Sequence, residues 1–231
     1  ISFSFMNLLS AHPILIHKDQ VNYRIHGKPI DQYMFEKFDS LFIDYYTRTV
    51  DEMGVKKNYP LTVNLYSDVK AFQADTGLPS FTAAIYESRR GEFYFLLNAK
   101  TIKEERLIIL ISHESCHAAF HSSENNISVR VSLEEGFCFY FYPSEFNLMA
   151  NSISYCKLGL EKFLLEADKN LYKGNRSKKE EVYLISSQFI QYLFKNKNKE
   201  EIIYILRDKN YLQKLEEPWK QFCNNCQKRV N

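Results

Sequence analysis

Ile109-Leu110-Ile111-Ser112-His113-Glu114-Ser115-Cys116-His117-Ala118-Ala119-Phe120 decides how this chain is read. The run is apolar at both ends and holds neither Gly nor Pro, so a helix passes through it unbroken. On a helix, His113 and His117 stand one turn apart on the same face. Two imidazoles so placed bind a single zinc ion. Glu114, one residue past the first, then reaches a water carried by that ion. Upstream, Thr101-Ile102-Lys103-Glu104 has the form of a capping box, which starts this helix at about residue 102. It is expected to end at Phe120 or His121, before the polar loop 122–126.

Further upstream the pattern changes to strands. Residues 13–17 and 21–26 read as two short strands. Residues 31–53 carry apolar side chains at helical spacing, with Asp31 as cap and Gly54 as stop. Leu61–Tyr66 alternates strongly, and Ser67 or Asp68 caps a short helix through Asp75, closed by Gly77. Phe81–Tyr86 and Glu92–Asn98 read as a hairpin turning at 88–91. Downstream, a helix is expected from about Ser128 to Tyr142, stopped by Pro143. Further helices are expected at 145–172, 180–195, 200–208 and 211–224, the last interrupted by Pro218. Lys173–Lys179 and Lys195–Lys199 read as basic, solvated connectors. The fold class is therefore α+β: a small N-terminal mixed sheet with an edge strand and the metal-binding helix, then an all-helical C-terminal half. The expected division is 1–121 and 122–231, together forming one catalytic unit.

Bulk composition bounds the function. Hydrophobic residues make 45% and charged residues 25%, with 18 Phe and 16 Tyr, which suits a packed core. A net charge of +2 implies no nucleic-acid field, and no apolar run has the length of a membrane helix. With only 7 Gly, and neither G-x-G-x-x-G nor G-K-[ST], there is no nucleotide-loop signature. No G-x-S-x-G elbow is present either. The 5 Cys are scattered and odd in number, so they form no disulfide framework. Cys223-x-x-Cys226 reads as structural or as a local disulfide, with a redox role as the lesser alternative. Ile1–Ala11 suits the tail of a signal peptide's hydrophobic region, and so a secreted or periplasmic protein, as well as it suits a first strand. The compartment stays open.

Two His leave a catalytic zinc one protein ligand short. A His six residues after His117 would supply it, but Ser123 stands there. His121 lies on the same helix as the other two. Three ligands on one straight helix span about 12 Å along its axis, too far for one ion, so His121 is read as a helix-end or supporting residue. A carboxylate from the next helix remains, in Leu133-Glu134-Glu135-Gly136. Glu134 and Glu135 point about 100° apart on a helix, so only one of them can ligate; the alternative is that both form a solvated acidic pair. Gly136 inside a helix points to close packing at that position.

His113-Glu114-x-x-His117 followed by Leu133-x-Glu135-Gly136-x-Cys138-x-Tyr140 resembles the gluzincin zinc metallopeptidases, and more narrowly their peptidase MA-like domains. The second motif there usually reads L-x-E-G-x-A-x-Y. Cys138 takes the place of the Ala, a change a small buried thiol tolerates. The resemblance implies a Zn2+ site of His113, His117 and Glu135, with Glu114 as general base. It implies an edge strand at Gly91–Asn98, whose Phe93, Tyr94, Phe95 and Leu96 pair with an extended peptide or protein substrate. It also matches Tyr183 to a catalytic Tyr of related aminopeptidase-like enzymes, whose own G-x-M-E-N motif is absent here. The expected function is a zinc metallopeptidase. The alternatives are a catalytically silent binding or scaffold domain on the same fold, and zinc hydrolysis of a non-peptide amide or ester.

Overall fold

The computed structural model describes residues 13–79, 82–97, 103–122, 127–140 and 155–228. The architecture is α+β, a five-stranded mixed sheet followed by helices. The chain forms two compact units, one of residues 1–45 and 58–114, the other of 46–57 and 115–231.

The first unit is built on strands β1 (Ile14–Lys18), β2 (Val21–His26), β3 (Leu61–Tyr66), β4 (Ala84–Glu87) and β5 (Glu92–Leu96), in the order β1-β2-β3-β5-β4. The outer pairs β1/β2 and β4/β5 are antiparallel, and β3 runs parallel to both β2 and β5. Strict alternation puts Val21, Tyr23 and Ile25 of β2 inside. Helix α1 (Gln32–Met53) covers that face with its apolar stripe: Phe38 packs edge-on against Phe95 and Phe42 against Phe93, each at 5.1 Å. Asp31 Oδ1 accepts from the Met34 N–H at the start of α1, and Gly54 takes the left-handed backbone its end needs (φ 64°). The short helix α2 (Val69–Thr76) is capped by Asp68, which accepts from the Ala71 N–H, and closed at Gly77.

One expectation is corrected by this sheet. The resemblance implies a sheet edge at Gly91–Asn98, but β5 lies inside the sheet, with β3 on one side and β4 on the other. Phe93, Tyr94, Phe95 and Leu96 are buried, so they form no binding rail. The alternating apolar pattern identifies a strand, whereas which strand is outermost depends on pairing. On this side the outer strand is β4.

The second unit is helical: α4 (Val131–Tyr140), α5 (Leu160–Lys173), α6 (Arg176–Asn196), α7 (Lys199–Arg207) and α8 (Tyr211–Lys228). Helix α3 (Glu104–His121) begins in the first unit and ends in this one. Helix α4 is buried almost all round, and it meets α6 at Gly136. A Cβ there would lie 2.4 Å from Ser186 Cβ and 2.5 Å from the Ser186 carbonyl carbon. A second cluster stacks Phe163 of α5 on Trp219 of α8 at 4.5 Å.

Helix boundaries differ from expectation at several points: α4 begins at Val131 rather than at about Ser128, and α5 begins at Leu160, with 156–159 outside any helix, where a helix over 145–172 is expected. Residues 176–179, expected in a connector, open α6, because Asn175 accepts from the Lys178 N–H and caps it. Pro218 does not interrupt α8; burial of Leu215, Trp219 and Phe222 holds the helix through it. Expectations for residues 1–11, for the Thr101–Ile102 start of the capping box, for the 123–126 loop, for the Pro143 stop and for a helix over 145–154 lie outside the described residues. Among the described residues no helix is long and apolar enough to cross a membrane.

Candidate metal centre

Helix α3 carries His113, Glu114 and His117, and α4 carries Glu134 and Glu135. His113, His117 and Glu135 each offer one ligand atom, and the three atoms lie within 4.8 Å of one another. Glu135 Oε2 stands 3.6 Å from His117 Nε2. That is long for a hydrogen bond. Two donors at about 2.1 Å from one tetrahedral ion are about 3.4 Å apart, so the separation suits ligands that share a cation. The geometry and the nitrogen–nitrogen–carboxylate donor set both fit a divalent metal. The sequence spacing fixed His113 against His117, and the tertiary structure brings Glu135 to them.

The other edge of the His117 ring is held from the same helix as Glu135. Glu134 Oε1 lies 2.6 Å from His117 Nδ1 and 3.0 Å from Nε2 of His121, the last residue of α3. The neighbouring glutamates therefore bracket one imidazole, Glu134 at Nδ1 and Glu135 at Nε2. A carboxylate at Nδ1 favours the tautomer whose free Nε2 faces a metal, and it raises the basicity of the ring. Glu134 is buried rather than one of a solvated acidic pair.

The electrostatics follow the contacts. Burial lowers the His117 pKa, but the charge of Glu135 and the hydrogen bond to Glu134 outweigh it and hold the ring well above the usual imidazole value. Burial raises the Glu134 carboxyl, yet bonds to His117 and His121 leave it below the ordinary carboxylate range.

Glu114 is buried, and its Oε2 accepts from the backbone N–H of Tyr86 on β4 at 2.6 Å. The general-base candidate is thus tied to the outer strand of the sheet. Tyr183, on α6, stacks on Phe139 of α4 at 5.4 Å. This places it beside the helix that bears Glu135, in an aromatic contact.

Sequence reasoning missed two features of this site. Glu134 was legible in part: an adjacent Glu pair facing a His pair with a third His one turn on offers more donors than one ion needs. The disulfide Cys116–Cys138 was not, and it corrects the reading of Cys138 as a free small residue. Cys223 and Cys226 are not joined by a disulfide, and neither is Cys156 part of one. A comparison of the sequence with models of known protein families gave no match, and neither did a comparison with characterised proteins.

Proposed function

We propose that this chain is a zinc-dependent peptidase of the gluzincin type. The observation that carries the proposal is the convergence of His113, His117 and Glu135 within 4.8 Å, with Glu135 Oε2 3.6 Å from His117 Nε2. Two imidazoles and one carboxylate favour zinc among the common divalent ions, and three protein ligands leave the fourth position open. When bound, zinc supplies a water of lowered pKa and a Lewis acid for the scissile carbonyl. Glu114 takes a proton from the attacking water and delivers it to the leaving amine. Glu134 keeps His117 in the ligating tautomer. Tyr183, where the resemblance implies a catalytic Tyr, is the candidate hydrogen-bond donor to the developing oxyanion. An extended peptide would add to the sheet at β4, not at β5.

The test is metal analysis of the purified chain together with peptide-library hydrolysis by two variants. Glu114→Gln is expected to keep stoichiometric zinc and lose turnover, and His113→Ala to lose both. Full activity in Glu114→Gln would remove the mechanism. A second reading, a silent binding domain that retains the metal, draws on the Tyr86 bond to Glu114, which already engages one oxygen of the proposed base. Zinc bound with no hydrolysis across the library, with or without chelator, would favour that reading.

A further inference from the structure

Cys116 lies inside the H-E-x-x-H segment, next to His117, and Cys138 lies three residues past Glu135. The two are joined by a disulfide between Cα atoms 5.3 Å apart, across a sequence separation of 22. The covalent link therefore ties the helix of the imidazoles to the helix of the carboxylates, within one turn of His117 and Glu135. Both cysteines are 0% exposed. Cys138 Sγ also sits 3.8 Å from His117 Nδ1, on the side of the ring that Glu134 holds. The link's place has two consequences. With the bond closed, His117 and Glu135 stay together before any metal arrives, although they come from separate helices. With the bond open, two thiols cannot occupy the volume of a bonded sulfur pair. In a filled core they separate by pushing Cys138 onto the His117 ring or by moving α4, and either displaces a ligand.

We propose that Cys116–Cys138 is a redox-responsive clamp on the metal site: closed, it preorganises His117 and Glu135 for the ion, and reduced, it lowers the affinity for that ion. The inference rests on the metal-binding reading above. The switching reaction is thiol–disulfide exchange with a dithiol reductant. The S–S bond breaks, two electrons and two protons pass to Cys116 and Cys138, and the dithiol leaves as its own disulfide. Reoxidation by a disulfide oxidant reverses it. Removing a residue that orients a metal ligand typically costs 10- to 100-fold in metal affinity, so opening the clamp is expected to weaken zinc binding about tenfold or more.

The experiment uses the full chain purified without reductant. Non-reducing peptide mapping establishes the linkage, and thiol titration counts free cysteines before and after a trialkylphosphine, which gives its electron pair to the disulfide, takes its oxygen from water to leave as the phosphine oxide, and carries no thiol to compete for metal. Zinc affinity is measured in both states by competition with a chromogenic chelator, and again in Cys138→Ala. The expected result is a mapped Cys116–Cys138 link, with affinity falling about tenfold or more on reduction. Cys138→Ala should match the reduced protein, with or without phosphine. Should Cys138→Ala not fold, the two states of the unmodified chain decide the matter alone. Equal affinity before and after full reduction overturns the clamp and leaves the metal site standing, as does finding both cysteines free in the air-purified protein. Zinc binding in neither state overturns the metal-binding reading itself.

Discussion

Replacing Gly136 by Ala sets two physical effects against each other. Helix propensity alone favours Ala in a helix interior by about 0.8–1 kcal/mol. The packing opposes it: the new Cβ would lie 2.4 Å from Ser186 Cβ, 2.5 Å from its carbonyl carbon and 2.8 Å from its carbonyl oxygen. Two of these three atoms belong to the backbone of α6, which has no rotamer to change. Overpacking of a filled core typically costs about 1–3 kcal/mol, and contacts this short against backbone belong at or above the top of that range. The net expectation is destabilisation by about 2 kcal/mol. Because α4 also carries Glu134 and Glu135, the shift that relieves the clash moves both carboxylates against His117, so zinc affinity should fall together with stability. Urea denaturation of the metal-free chain reads the first effect, and chelator competition reads the second. Adding Ser186→Gly removes one of the three clashing atoms and should rescue only a fraction of the loss. A Gly136→Ala chain that is neutral, or more stable by the propensity gain, would refute the close approach of α4 and α6.

Glu134→Gln keeps the shape but removes the charge that His117 and His121 share; zinc affinity should fall about 10- to 100-fold by chelator competition while the fold, read by circular dichroism, persists. In the metal-free chain the raised His117 pKa means the folded state binds a proton that the unfolded state releases near pH 6.5. That contribution to stability is full below about pH 6.5 and is lost as pH rises through the folded value. The denaturation midpoint should therefore decline over that window. Zinc affinity should move the opposite way, because the metal must displace the same proton; a zinc affinity that does not change with pH above 6.5 would contradict the pairing of His117 with the two glutamates. Asp68→Ala removes the cap that accepts from Ala71 N–H, and should cost about 1 kcal/mol by denaturation without altering zinc affinity.

Local chemistry was readable from the chain itself. The alternation of Val21–His26 and Leu61–Tyr66, the cap at Asp31, a cap at Ser67 or Asp68, the glycine stops at 54 and 77, and the unbroken helix with His113 and His117 one turn apart all depend on neighbours within a few residues. Gly136 announced close packing by its cost in a helix, although its partner Ser186 lies fifty residues on.

Tertiary structure alone decided the rest, because each remaining feature depends on which distant segments meet. Strand order turned Phe93–Leu96 from a presumed edge into an interior strand, since pairing on both sides leaves no trace in one strand's own pattern. The packing of α4 beside His117 gave Glu134 one ring nitrogen and Glu135 the other, a division of labour that two adjacent, identical residues cannot show in a sequence. The same meeting of helices joined Cys116 to Cys138, because a cysteine's spacing in the chain carries no information about the direction from which its partner arrives.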